Sequence, residues 1–477
     1  MRLSILPLVL ALSACSFTPV LEKPDAPVPV SYPSVVAQQE QASAAEIGWV
    51  AMFGDPRLQQ LIDLALKNNR DLRLATLNVE AVKAEYRIGR AARLPSVEAG
   101  LGGARERALD PTSGQGPSTQ NRVDVQLGVT AFELDLWGRV RSMSEAAFAR
   151  YLASDEGRRA ARISLIASVA DAYIAQRLAT EQLELARQTL CSWTEQLDLA
   201  QQLYRARQSS RLDLAQVRSQ VSRAQADAEA RARDLQRSHN ALFQLVGAVS
   251  TPSSLPKPLP LQRQPVLTRL PAGLPSTLLL YRPDIRQAEQ NLKAANADIG
   301  AARAAFLPRI SLTATAGFAS PSMRGLFGSE HRVWSFVPQI TQPLFDGGRL
   351  RAELRLSELR KSSAIAEYER AIQVAFREVA DGLAGTATYA RQIAAQEEIV
   401  AEETKRAELS EQRYRAGIDG RLELLDAQRQ LYAARQELLD LRRDEFGNAI
   451  ALYKALGGGQ FRDEAREQGA STLPGMP

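Results

Sequence analysis

The stretch "RYRAGIDGRLELLDAQ" at residues 413–428 sets Glu423 and Asp426 three positions apart, just beyond a Gly-Ile-Asp-Gly break. On a helix this spacing puts both carboxylates on one face. Where further acids crowd them, such carboxylates raise one another's pKa and attract cations. Standing alone, with Arg429 three residues beyond Asp426, they form an ordinary solvated face. The choice depends on what the chain builds around that turn.

Other chemistry is scarce. The two histidines, His239 and His331, lie far apart and offer no metal-ligand spacing such as H-E-x-x-H. Neither a Walker loop nor a G-x-S-x-G elbow occurs, and "GLGGAR" at 100–105 falls short of a dinucleotide fingerprint. No catalytic residue, cofactor or metal site is expected, so the chain does not read as an enzyme. Lysine plus arginine (59) exceeds aspartate plus glutamate (54) by only 5, with the surplus spread along the sequence. No basic patch interleaved with aromatics is present, which argues against nucleic acid as a partner.

The amino terminus, "MRLSILPLVLALSAC", has one arginine, an apolar run and then small residues, the pattern of a secretory signal over 1–14. Leu12-Ser13-Ala14-Cys15 resembles the bacterial lipobox, which predicts acylation of Cys15 and, with Ser16 following, an outer-membrane address. Residues 15–48 then read as a lipid-anchored extended segment, with five prolines between 16 and 34. Cys191 is the only other cysteine, so the mature chain has no internal disulfide framework. No later run offers eighteen apolar residues, so any crossing of a membrane must be made by strands.

The chain is written twice. "AARLPSV" at 91–97 recurs as "AAFLPRI" at 304–310, an offset of 213, and "LWGRVR" at 136–141 recurs as "DGGRLR" at 346–351, an offset of 210. The second offset holds through Tyr204-Arg205-Ala206 against Tyr414-Arg415-Ala416, and "RLDLAQ" against "RLELLD". The repeats are placed at 49–249 and 276–457, joined by a Pro-rich connector at 250–275 and followed by a mobile tail at 458–477.

Between the two anchors the period is that of strands. Val123, Val125, Leu127 and Val129 alternate with polar neighbours, as do Ile310, Leu312, Ala314 and Ala316. Each repeat therefore supplies one strand hairpin, at 96–133 and 309–343, of a length suited to a tilted membrane strand. The ordinary alternative is a small soluble sheet whose apolar face is covered by the chain's own helices.

Heptads follow each hairpin. Ile372, Val379, Thr386, Ile393, Val400, Ala407 and Tyr414 recur every seven residues, and past the Gly417 break so do Leu425, Tyr432, Leu439, Phe446 and Tyr453. The first repeat has Leu183, Leu190, Leu197 and Tyr204 before its tip, then Leu214, Val221, Ala228, Leu235 and Leu242. These ladders predict antiparallel helical hairpins with coiled-coil packing. Residues 138–206 form one long helix in this reading, while 56–92 and 211–246 form two shorter ones. The fold class is mainly α with membrane β. Four strands cannot close a barrel, so membrane strands require oligomerisation: a dimer gives eight strands, a trimer twelve and a tetramer sixteen.

At this point the residues carry a family resemblance. "WVAMFGDPRLQQLIDLALKNNRDLRLATLNVEAVKAEY" (49–86), "RPDIRQAEQNLKAANADIGAARAAFLPRISLTATAGF" (282–318), "QPLFDGGRLRAEL" and "YRAGIDGRLELLDAQRQLYAARQEL" resemble the TolC-like outer-membrane factors, lipoprotein branch, serving resistance-nodulation-division efflux pumps. The resemblance implies a homotrimer, with a twelve-stranded barrel in outer-membrane lipid continuous with a helical periplasmic tunnel. It also implies two partners, a periplasmic adaptor and an inner-membrane pump, and a passive exit duct between them. A periplasmic adaptor or a structural coiled-coil lipoprotein is the competing reading, which the duplication of strands and helices together disfavours.

The resemblance bears on the opening acids too. Glu423 and Asp426 match positions that ring the inner mouth, and Asp213 and Tyr414 match a network tying neighbouring hairpins shut. Two departures stand out. The arginine of that network falls on Asp419, leaving Arg415 or Arg421 to substitute. Arg207 occupies the first tip where the second has Gly417, followed by Gly420, so the two tips are expected to turn differently.

Overall fold

The structure, a computed structural model, describes residues 17–29, 47–108, 117–247, 255–271 and 281–459. The signal segment, Cys15, part of the first strand loop and the tail beyond 459 lie outside the described residues. The elements are α1 (Trp49–Met52), α2 (Pro56–Asn68), α3 (Arg70–Ala91), β1 (Val97–Ala108), β2 (Ser118–Glu133), α4 (Arg139–Arg205) and α5 (Arg211–Val246). The second repeat gives α6 (Pro283–Ala304), β3 (Arg309–Ser320), β4 (Arg332–Thr341), α7 (Arg349–Arg415) and α8 (Arg421–Ala455).

The helix expected over 56–92 is two. Asn69 breaks it: its Oδ1 accepts from Leu72 N at 2.9 Å, starting α3, while its Nδ2 donates to the Leu245 carbonyl at 2.9 Å. A capping side chain fastened to a neighbouring helix end halts one helix and starts the next.

The chain divides into two compact units that cut across the repeats. One takes the described residues up to Asp25, with Asn78–Asp155 and Gln287–Glu369; the other takes Ala26–Leu77, Glu156–Arg286 and the chain from Arg370. In the first unit all four strands form one antiparallel sheet in the order β1-β2-β3-β4. Val97, Val129, Ala314 and Phe336 lie in one row across it, all on one face. That face is bare in the single chain: Leu101 is 71 % exposed, Trp334 79 % and Ile340 69 %. The soluble-sheet alternative, which needs these residues covered by the chain's own helices, does not describe this protein. α3 likewise buries none of its residues. No helix among the described residues is long and apolar enough to cross a membrane.

The amino-terminal segment is seated in this unit. Thr18 Oγ1 and Ser142 Oγ share a hydrogen bond of 3.2 Å, the Pro19 carbonyl accepts from Asn296 Nδ2 at 2.8 Å, and Lys23 pairs with Glu289 at 3.1 Å.

In the second unit many of the heptad residues are packing residues, though Tyr204 at the first tip is exposed. Val379, Ala407, Leu425, Phe446 and Tyr453 are buried, as are Leu183, Leu214, Ala228 and Leu242 in the first repeat. The connector runs against the entry segment, where Phe53 and Val266 form an antiparallel bridge and Gly54 N donates to the Pro265 carbonyl at 2.8 Å. The tail begins later than expected. Gly458 and Gly459 are buried, and the Gly458 carbonyl accepts from Tyr453 Oη at 2.6 Å.

Candidate functional site: the hairpin tips

The two tips turn alike, against the sequence expectation. Arg207 N donates to the Tyr204 carbonyl and Gln208 N to the Leu203 carbonyl, as Gly417 N does to Tyr414 and Ile418 N to Arg413. Arg207 takes a left-handed φ of 61°, close to the 69° of Gly417. The pattern of closing hydrogen bonds, which ends a helix by satisfying its last carbonyls, sets the backbone at this place, with or without glycine.

Beyond the first tip Ser210 caps α5. Its hydroxyl accepts from Asp213 N at 3.0 Å and donates to Asp213 Oδ2 at 2.7 Å, and Ser210 N donates to the same oxygen at 3.1 Å. These Ser210 bonds hold the Asp213 carboxyl below the usual carboxylate range, with Ser209 and the Arg421 guanidinium adding to the effect. Arg421, the first residue of α8, stacks over the Tyr414 ring at 5.8 Å. Of Asp213 and Tyr414, paired by sequence reasoning, Arg421 stacks on Tyr414 and acts on Asp213 through its charge alone, with no ion pair between Arg421 and Asp213 among the described residues. Arg415 turns aside to Glu411 on its own helix at 2.5 Å.

Asp419, which stands where the family arginine was expected, pairs with Arg413 through both nitrogens, at 2.5 and 2.8 Å. A forked guanidinium–carboxylate pair of this kind ties a loop to the helix before it. Arg413 keeps the Asp419 carboxyl below its ordinary range.

Glu423 and Asp426 part company. Asp426 Oδ2 accepts from Arg406 Nη2 at 2.8 Å, and its Oδ1 from Arg429 Nη2 at 2.8 Å. Those two arginines, Arg406 foremost, lower the Asp426 pKa, the reverse of what crowded acids alone would do. Glu423 is exposed, and among the described residues no ion pair involves it. Beneath the first tip Ala200, Leu214 and Val217 form a small core with Leu197 packed against it, and past the second tip Leu424, Leu425 and Ala427 are buried. The second tip therefore carries one paired acid, Asp426, and one free acid, Glu423, beside the buried Leu424 and Leu425.

Sequence reasoning missed a second tie between the hairpins. Tyr432 Oη on α8 donates to Asp227 Oδ2 on α5 and accepts from Gln436 Nε2 at 2.9 Å. Nearby, Arg231 Nη1 donates to Gln182 Oε1 at 3.0 Å, and Gln182 Nε2 donates to Asp440 Oδ1 at 2.8 Å. Burial and the Asp227 carboxylate push the Tyr432 hydroxyl up to about 12. The signal available was an aspartate, Asp227, beside a heptad position, where a tyrosine at the facing ladder position can reach it.

Comparison with known proteins fixes the family. A model of the outer membrane efflux protein family matches residues 61–248 and 274–458, once for each repeat. The chain belongs to the outer membrane efflux protein family. It is 46 % identical over 459 residues to the solvent efflux pump outer membrane protein SrpC of Pseudomonas putida, covering 94 % of this chain and 97 % of that one. A crystal structure of a membrane protein from Pseudomonas aeruginosa superposes with a TM-score of 0.88 at 41 % identity, over 93 % of this chain and 98 % of that one. The open state of the Neisseria gonorrhoeae MtrE outer membrane channel superposes at 0.86 with 40 % identity, over 94 % and 99 %. As an outer membrane efflux protein the chain is a transport component rather than an adaptor or a structural lipoprotein, the readings set against it above.

Proposed function

We propose that three copies of this efflux protein close one twelve-stranded barrel in the outer membrane and form the passive exit duct of a tripartite pump. The carrying observation is the four-stranded sheet, with β1 and β4 as open edges and its apolar face bare. In lipid an open edge leaves backbone donors and acceptors without partners, at several kcal/mol each. Oligomeric closure removes that cost, and the uncovered α3 gives the helical part a surface for neighbours as well. On the opposite face Gln126, Thr313 and Thr315 suit a water-filled lumen.

Cys15 carries the lipid anchor in this reading, and the segment from Thr18 to Lys23 is its tether. An inner-membrane pump of the resistance-nodulation-division type supplies the energy, and a periplasmic adaptor engages the tips. The tips form the gate. Tyr414, Arg421 and Asp213 tie the two hairpins together, Arg413 and Asp419 fix the second tip, and Glu423 of each copy faces the mouth. Opening requires the hairpins to separate, which first removes the Arg421 charge from Asp213, since no ion pair or hydrogen bond among the described residues fastens the two.

The test is purification of the full chain in detergent, followed by mass measurement and planar-bilayer recording. A trimer with stepwise conductance is expected. A monomer without pore activity overturns the reading.

A further inference from the structure

We infer that the closing seam between copies pairs β4 with β1 of the next copy in one unbroken register, with Phe336 facing Arg105, Ile340 facing Leu101 and Gln342 facing Ala99. The inference rests on the trimeric reading above and adds the residues that meet.

The internal repeat supplies the template. Within one chain β2 pairs with β3, and the repeat maps β2 onto β4 and β3 onto β1. The β2–β3 ladder carries one bulge: Val129 faces Ala314, but the next regular pair is Phe132 with Leu312. Two residues there oppose one, and Ala131 takes a φ of 49°. Val129 faces Val97 and Ile340 faces Ile310, the counterpart of Val97, yet Gly138 lies nine positions beyond Val129 and Gly348 only eight beyond Ile340, so the β4 side lacks the extra residue. Above the bulge β2 therefore corresponds to β4 with an offset of 211, and below it with the offset of 210 seen at the Gly138–Gly348 anchor. β3 corresponds to β1 at 213 throughout.

Two independent transfers then agree. Above the bulge Val125 facing Phe318 becomes Phe336 facing Arg105. Below it Phe132 facing Leu312 becomes Gln342 facing Ala99. Stepping six residues along each strand carries the first pair onto the second, so one register satisfies both. The faces agree as well. Leu101 shares the apolar face with Val125, and Ile340 shares it with Ile310. A slip of one residue would set apolar side chains against the lumen.

The same mapping makes the closing seam unlike the internal one. Inside the chain Trp137 Nε1 donates to the Pro308 carbonyl at 2.8 Å, and Glu133 pairs with Arg139 at 2.6 Å and Arg309 at 2.8 Å. Their counterparts are Gly347 and Pro95, then Pro343, Arg349 and Ser96, which can make neither contact. In their place stand Leu344 and Phe345, each 93 % exposed, beside Leu94 and Val97, 70 % and 69 % exposed. Towards the other end of the strand pair, Arg105 and Arg107 fall beside Phe336 and Trp334, where guanidinium groups can stack on rings.

Disulfide trapping tests the register. In the internal seam Leu134 N donates to the Ile310 carbonyl, which makes Leu344 and Val97 a hydrogen-bonded pair and Thr341 and Gly100 a non-hydrogen-bonded one. Such pairs bring Cα atoms to about 4.5 Å, within disulfide reach. A side chain at Gly100 meets open space. In the full chain carrying Cys191→Ser, the double variant Thr341→Cys/Gly100→Cys should give covalent dimers and trimers on non-reducing gels, as should Ser335→Cys/Glu106→Cys. Thr341→Cys with Glu98→Cys or with Gly102→Cys, each shifted by two residues on the same face, should stay uncrosslinked. Crosslinking of a shifted pair, or of no pair in a protein that remains trimeric, overturns the register and leaves the trimer standing. A monomer in every variant and in the parent overturns the trimeric reading itself.

Discussion

Arg207 and Gly417 occupy the same place in the two hairpin tips and share a left-handed backbone, with φ of 61° and 69°. Only one of them suits it. A side chain in this conformation costs roughly 1–2 kcal/mol, part of which glycine forfeits through the greater freedom of its unfolded chain. Arg207→Gly is expected to stabilise the assembly by about 0.5–1 kcal/mol per chain, and Gly417→Arg to destabilise it by about 1 kcal/mol or more. The midpoint of thermal dissociation of the detergent-solubilised oligomer reads both. A lower midpoint for Arg207→Gly would mean that the arginine makes contacts worth more than its backbone strain.

The two mouth acids should differ in effect. Asp426 sits between Arg406 and Arg429, while Glu423 stands free of ion pairs among the described residues. Glu423→Gln is expected to weaken block by multivalent cations severalfold in planar bilayers, and Asp426→Asn to change block little while loosening the tip. The pH dependence follows from the sign of the shift. A carboxylate depressed in the folded state contributes stability above its unfolded pKa of about 3.9, and that contribution is lost only as pH falls through the lower folded value. The Arg406–Asp426 clasp should therefore hold unchanged from pH 7 to 5 and yield only below about pH 4. Arg406→Ala, which removes the largest cause, should move that loss to higher pH.

Much of this was legible in residue periods. Alternation from Val123 to Val129 marked a strand with one apolar face, and seven-residue spacing from Ile372 to Tyr414 marked a packed helix face, because each period is a direct image of backbone geometry. Features set by residues distant in sequence were not. Arg406 lies 20 residues from Asp426 across a turn. Tyr432 lies 205 residues from Asp227. No local period reports such pairings. The break at Asn69 was hidden for a related reason: the partner that makes it useful is the Leu245 carbonyl, at the end of another helix. Arg207 misled because glycine is the usual but not the required residue where a helix closes on itself.

Gly300 should prove the residue that admits the amino-terminal tether. A Cβ built there would come within 2.2 Å of Thr18 Oγ1, 2.9 Å of Thr18 Cα and 3.0 Å of Ser142 Oγ. The backbone of Thr18 cannot give way as a flexible side chain can. Gly300→Ala is expected to lift the segment and break the Thr18–Ser142 bond, while α6, being a helix, gains from alanine. Amide hydrogen exchange over residues 17–23 should accelerate at least tenfold, with the exchange of α6 itself unchanged or slower. Unaltered exchange in the segment would show that it is held by the Lys23–Glu289 pair and the Asn296 bond alone.

Tyr432 and Asp227 supply a tie between α8 and α5 that does not depend on the tips. Tyr432→Phe keeps the ring and removes only the hydroxyl, leaving Asp227 facing Arg231 at 3.5 Å and Gln436 Nε2 without its acceptor. Loss of a hydrogen bond to a charged group costs about 1.5–3 kcal/mol where the partner is left buried, and less here because Asp227 is partly exposed. If this bond helps hold the hairpins together, Tyr432→Phe should raise spontaneous openings in planar bilayers several-fold. Combined with Arg421→Ala, which removes the guanidinium that stacks on Tyr414 and acts on Asp213 through its charge, the effects on opening free energy should add, since the two ties share no residue. A double variant no leakier than Arg421→Ala alone would confine the gate to the tips and reduce Tyr432 to a packing residue.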